Sequence, residues 1–148
     1  MAPLGSVPHQ VVLATKEYYS CSGSIIARDF VVTAGQCCLT EFRPTGVLAG
    51  VNDLESPEEG AQRVNVDQVL SHPNFTDGKN SVNDLCILHL KDPLVLGNAT
   101  RTAIIGLPPA GYRAEGNANV SGWGFTLNGH LASRLMSTQV PIINDEEW

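Results

Sequence analysis

The stretch from Cys21 to Cys38, CSGSIIARDFVVTAGQCC, limits what this chain can fold into more than any other. Ile25-Ile26 and Phe30-Val31-Val32 are strand-forming runs, and the polar pair Arg28-Asp29 lies between them. Two such runs around a brief polar break are a hairpin signal. The cysteines stand at its outer ends. Paired strands would bring Cys21 across from Cys37, within disulfide reach if the two side chains face each other. Similar Val- and Ile-rich runs recur between Gly, Pro and Asn clusters, which points to an all-β class. With 148 residues, 43% hydrophobic and 16% charged, the chain suits one domain with a real core and is not a disordered polypeptide.

The net charge is −6, and the acids gather at Asp53–Glu59 and Asp145–Glu147. No basic stripe exists, so neither a nucleic acid nor an anionic membrane is an expected partner. No apolar run approaches the length of a membrane span. Four cysteines, Cys21, Cys37, Cys38 and Cys86, suit two disulfides formed in an oxidising compartment. A metal site is the rival reading, but only Cys37 and Cys38 are close and no His stands at ligand spacing. Three sequons, at Asn74, Asn98 and Asn119, would permit glycosylation of a secreted protein, although Asn119 falls in an expected strand. The segment Met1–Pro8 lacks the charged start and apolar core of a signal peptide, so a sequence incomplete at its front is the simplest expectation.

Further strands are expected at Gln10–Ala14, Gly46–Gly50 and Gln62–Leu70, with a short helical turn at Gln36–Leu39. Asn83–Leu90 should place Asp84, Cys86, Leu88 and Leu90 on one face and Leu85, Ile87 and His89 on the other.

The Cys21–Cys38 stretch resembles the first catalytic segment of the trypsin/chymotrypsin-like serine proteases. In that family Cys-x-Gly-Ser-Leu/Ile leads to Thr-Ala-Ala-His-Cys, whose histidine is the general base. Here the same place reads Thr33-Ala34-Gly35-Gln36-Cys37. Asn83-Asp84-Leu85-Cys86-Ile87-Leu88-His89-Leu90 resembles Asn-Asp-Ile-Ala-Leu-Leu-x-Leu, and the resemblance makes Asp84 the triad carboxylate. Pro8-His9-Gln10-Val11, the GVLAG strand, the turn His72-Pro73-Asn74-Phe75 and Gly122-Trp123-Gly124 resemble further family segments in order. His89 stands where the family usually has an exposed polar residue, so the resemblance implies that His72 belongs to its turn and that His89 is solvated.

The resemblance implies a chymotrypsin-like antiparallel β-barrel over residues 1–96, a linker over 97–116, and over 117–148 the first hairpin of a second barrel. The hairpin strands are expected at Val120–Gly124 and Leu135–Ile143. If Gln36 and Asp84 meet as in the family, Cys38 and Cys86 also come close and form the second bridge. In the calcium loop of some relatives, the two key carboxylate positions correspond to Val51 and Ala61, so no calcium is expected, nor any other metal or cofactor. No Ile-Val-Gly-Gly precedes Pro8 and no Gly-Asp-Ser-Gly-Gly follows Trp123, so neither the activation switch nor the nucleophile turn is expected in this chain.

Gln36 decides the functional expectation. A serine hydroxyl needs a neighbouring imidazole to take its proton and pass it to the leaving group. A carboxamide has no useful pKa near neutrality and can do neither. The expectation is a proteolytically inactive homologue of these endopeptidases, secreted, binding protein or peptide ligands as a decoy or scaffold. It is expected to be a monomer with an association-prone C-terminal hairpin. The alternative is a fragment of a longer serine-type endopeptidase.

Overall fold

Six strands close into an antiparallel barrel: β1 (Gln10–Ala14), β2 (Tyr19–Ala27), β3 (Phe30–Thr33), β4 (Gly46–Ala49), β5 (Gln62–Ser71) and β6 (Cys86–Leu90). Their order around the barrel is β1-β2-β3-β6-β5-β4, and β1 closes it by pairing with β4 from Val11↔Ala49 to Ala14↔Gly46. Closure leaves these strands no open sheet edge. The computed structural model describes residues 1–144. Residues 145–148, and with them the Asp145–Glu147 acids and the end of the expected second unit, lie outside the described residues.

Alternation decides which side chains fill the barrel. Val11, Leu13, Ile25, Val31, Val47 and Leu88 point inward and are fully buried, joined by Cys86 and Leu90. On β6 the expected faces are realised, with Cys86, Leu88 and Leu90 inside and Ile87 and His89 half-buried outside. The strand starts later than expected, however. Asn83 adopts a left-handed φ of 55° and Leu85 N–H donates to its carbonyl at 2.7 Å, so a turn interrupts the extended chain ahead of Cys86. Asparagine tolerates that region better than most side chains.

β1 and β4 are buried on both faces, as their unbroken apolar runs suit. Outside the barrel Val12, Leu48 and Val51 form a second core with Ala2, Trp123 and Leu135. Each large side chain buried there contributes about 1.5–3 kcal/mol relative to exposure. This core ties a second, two-stranded sheet to the barrel, made of β7 (Asn117–Gly122) and β8 (Met136–Pro141). β7 begins and ends earlier than the expected Val120–Gly124, and β8 is shorter than the expected Leu135–Ile143, with Trp123 and Leu135 buried in the second core instead of continuing the strands. Val120, Val140 and Ile143 are exposed, whereas Trp123 is covered by the second core.

The segment expected as a linker is tied down over its first half. Gly97 and Thr102 exchange backbone hydrogen bonds at 2.9 and 3.2 Å, and Ala103 and Ile105 N–H donate to the carbonyls of Pro8 and Ile25. Thr102 is buried. From Ile104 to Asn117 every residue is exposed.

Candidate functional site

The turn after β3 is a short 3-10 helix, Gly35–Cys38, and both of its cysteines are bridged. Cys37 joins Cys21 at the far end of the hairpin (Cα–Cα 6.2 Å), and Cys38 joins Cys86 on β6 (6.6 Å). Both pairings are as expected, and no free cysteine is found among the described residues. One turn is thereby covalently fixed to two strands of the barrel wall.

These anchors carry Gln36 to Asp84. Gln36 N–H donates to Asp84 Oδ1 at 2.8 Å, and its side-chain Nε2 donates to Asp84 Oδ2 at 3.0 Å. Both oxygens of one carboxylate are therefore held by one residue. Hydrogen bonds to an ionised acceptor are stronger than neutral ones. The same Nε2 also reaches Ser81 Oγ at 3.3 Å, a contact that the sequence reading missed. Ser81 donates in turn to the Gly78 carbonyl at 3.1 Å, so it shapes the Gly78–Asn83 turn. Gly35 is buried under the pair. A Cβ there would stand 3.0 Å from the Phe75 ring and 3.1 Å from Asp84 Oδ1, which favours glycine at this position.

The histidines are engaged elsewhere. His72 accepts the Asn74 N–H on Nδ1 at 3.1 Å and so stabilises its own turn, as expected. His9 is half-buried ahead of β1, and burial lowers its pKa. His130 lies exposed between β7 and β8. His89 departs from the solvated reading. Its Nδ1 lies 2.6 Å from Asp67 Oδ1 on β5 and its Nε2 3.4 Å from Asp29 Oδ2 in the β2–β3 turn. The Phe30 ring stands against it, centroids 4.9 Å apart. The hydrogen bond to Asp67 is the largest influence raising its pKa, and the charges of both carboxylates add to it. Pairing of β6 with β5 and β3 creates this cluster, which no local motif announces.

The acidic loop uses its carboxylates on itself. Glu58 accepts the N–H groups of Asn52 (2.8 Å) and Asp53 (3.2 Å), and Asp53 Oδ1 accepts those of Glu55 and Ser56. Asp53 Oδ2 faces Arg134 Nε at 3.4 Å, linking the loop to the second sheet. Val51 is buried in the second core. Among the described residues no three His, Cys, Asp or Glu side chains are gathered as a metal site. A groove of about 650 Å³ lies between Tyr19–Ser22 and Gly122–Phe125 and does not reach Gln36 or Asp84.

Comparison with known proteins agrees with this architecture. The chain is 32% identical to trypsin-1 of Astacus astacus over 99% of its length, 30% identical to pig (Sus scrofa) trypsin over 95%, and 30% identical to mouse (Mus musculus) ovochymase-2 over 97%. It spans 64%, 58% and 24% of those proteins respectively. The family model described as Trypsin matches residues 1–148. A match that runs the length of the chain, over a closed barrel of the chymotrypsin-like kind, leaves no part of it to another family, and the chain belongs to the trypsin family.

Proposed function

We propose that this chain is a proteolytically inactive member of its family that acts by binding protein or peptide ligands outside the cell. The observation that carries the reading is the hydrogen-bonded pair. Gln36 occupies the base position and directs its amide donor at Asp84, the carboxylate that would orient a catalytic imidazole. A carboxamide held in this way can position a neighbour but cannot cycle a proton. Two disulfides support an extracellular setting, since such bonds persist in oxidising compartments.

Incubation of the folded chain with peptide esters and a fluorophosphonate probe tests the reading. No turnover and no labelled serine are expected, and stoichiometric labelling of one serine would overturn it. Gln36→His is expected to restore nothing by itself. Asp84 Oδ2 and Ser81 Oγ converge on the same side-chain nitrogen of Gln36. A general base needs its carboxylate and its nucleophile on opposite ring nitrogens. A rate gained in Gln36→His would mean that a different serine is poised.

The alternative, a piece of a longer serine-type endopeptidase, is favoured by one finding: the chain spans 64% and 58% of the two trypsins named above. Sequencing the transcript on both sides of this segment decides it. A downstream Gly-Asp-Ser-Gly-Gly joined to a product that hydrolyses esters would establish the longer enzyme. A product that does not hydrolyse them would favour the inactive homologue.

A further inference from the structure

Three sequons lie in three different settings. Asn98-Ala99-Thr100 is folded into the closed loop between Gly97 and Thr102. There the Thr100 hydroxyl contacts the carbonyl oxygens of Val95 and Gly97 and the hydroxyl of Thr102, at 2.7, 3.1 and 2.7 Å. Asn119-Val120-Ser121 lies within β7, with Asn119 paired across to Gln139, and the Ser121 hydroxyl donates to Gln10 Oε1. Each of these has its hydroxyl committed, and one is inside a sheet.

Asn98 and Asn119 are exposed as Asn74 is, but Asn74-Phe75-Thr76 differs in its hydroxyl, which none of its turn's hydrogen bonds uses, and in its place on a turn. Asn74 is exposed on the tight turn that follows β5 and closes with Phe75 N–H donating to the His72 carbonyl at 3.0 Å. Its backbone is held twice more, by His72 Nδ1 at its N–H and by Asn83 Nδ2 at its carbonyl, 3.1 Å each. Thr76 is exposed and pairs with Val82 through its backbone. A rigid turn thus presents the Asn74 amide and the Thr76 side chain to solvent without drawing on either for its own stability. An N-glycan acceptor requires such a surface loop. The turn also adjoins the candidate site, since Phe75 packs against Gly35, and Asn83, which holds the Asn74 carbonyl, precedes Asp84.

We propose that Asn74, in preference to Asn98 or Asn119, is an N-glycosylation acceptor, and that its oligosaccharide stands beside the Gln36–Asp84 pair. This rests on the extracellular part of the reading above. The donor is a polyprenyl-diphosphate-linked oligosaccharide. Asn74 Nδ2 bonds to the anomeric carbon, that carbon's bond to the diphosphate oxygen breaks, and the polyprenyl diphosphate departs. One amide proton passes to a base of the transferase. The glycan shields the exposed Asp77–Asn80 segment and narrows the directions from which a protein could approach Asp84.

The test expresses the full chain behind a supplied secretion leader in a glycosylating eukaryotic host. Intact mass is read before and after peptide-N-glycosidase, with the disulfides verified by non-reducing peptide mapping. A glycan is expected on the secreted protein. Asn74→Gln and Thr76→Ala should lose it, Thr76→Ser should keep at least part of it, and Asn98→Gln and Asn119→Gln should leave it unchanged. After glycosidase, Asn74 should read as Asp. A disulfide-bonded secreted protein whose mass the glycosidase does not alter would overturn the proposal. So would a glycan retained in full by Asn74→Gln. Because the leader is supplied and no activity is read, failure here is distinct from failure of the proposed function.

Discussion

Gly35 stands next to Gln36, buried under the Gln36–Asp84 pair. An alanine Cβ would press on the Phe75 ring and on the oxygen that accepts the Gln36 N–H. Gly35→Ala should therefore destabilise the protein by about 1 kcal/mol, at the low end for overpacking because Phe75 is only half-buried. The smaller side chain of Phe75→Leu should relieve part of that loss, as measured by urea unfolding. Additive losses in the double variant would show that the ring is not the obstacle. His89 allows a second test. Its pKa is raised in the folded state, so the stability it lends is fully present below about pH 6.5, its unfolded value. That stability is lost as pH rises through the higher folded value. The urea midpoint of the wild type relative to His89→Gln should accordingly fall between mildly acidic and alkaline pH, whereas a pH-independent difference would remove the Asp29–His89–Asp67 cluster from the account. Gln36 and Asp84 were legible because each lies in a run whose neighbours are as informative as itself. His89 was not, because its partners lie on the neighbouring strand β5 and in the β2–β3 turn, and only the pairing of strands reveals them.

Alternation made β5 and β6 legible as elements, and continuous apolar runs did the same for β1 and β4. What the runs could not supply was the identity of their second cover. A strand buried on both faces reads the same whether a helix, a sheet or another molecule lies over it. The boundaries that were missed have local causes: the left-handed φ of Asn83 ahead of β6, and the inward turns of Trp123 and Leu135 at the ends of β7 and β8. The disulfides act at this scale too, each pinning the Gly35–Cys38 turn to a different strand. Cys21–Cys37 closes a separation of 16 residues and Cys38–Cys86 one of 48. On the chain-entropy estimate they contribute about 3 and about 4 kcal/mol. Replacing Cys38 and Cys86 together by alanine should thus cost more than replacing Cys21 and Cys37, and the more so because Cys38 and Cys86 are buried. The opposite order in urea unfolding would assign the stabilisation to native-state strain or denatured-state structure instead of loop length.

For the whole molecule, the question is how firmly the β7–β8 sheet belongs to the barrel. A lone two-stranded hairpin is marginal in water, and all six residues of β8 are exposed. Against that, one end of the sheet is fastened at several points. Trp123 Nε1 donates to the Asn52 carbonyl at 2.9 Å, Leu135 N–H to the same carbonyl at 2.8 Å, and Ala2 N–H to the Leu135 carbonyl at 2.8 Å. At the other end Asn117 and Pro141 are exposed, as is the whole Gly106–Gly116 segment leading into it. A gradient should result, with amides of β1, β3 and β6 exchanging slowest, the Trp123 and Leu135 end of the sheet at an intermediate rate, and its Asn117 and Pro141 end fastest. Within this segment brief chymotrypsin digestion should cut at Tyr112, which is 62% exposed, since Leu107 precedes Pro108 and is not a site, and it should spare the hydrogen-bonded 97–105 stretch. Trp123→Ala removes the largest side chain of the second core, so exchange throughout β7 and β8 should accelerate while Val31 and Leu88 remain protected. If that substitution instead accelerates exchange at Val31 and Leu88 equally, barrel and sheet unfold as one cooperative unit, and a boundary between 97 and 116 has no energetic meaning.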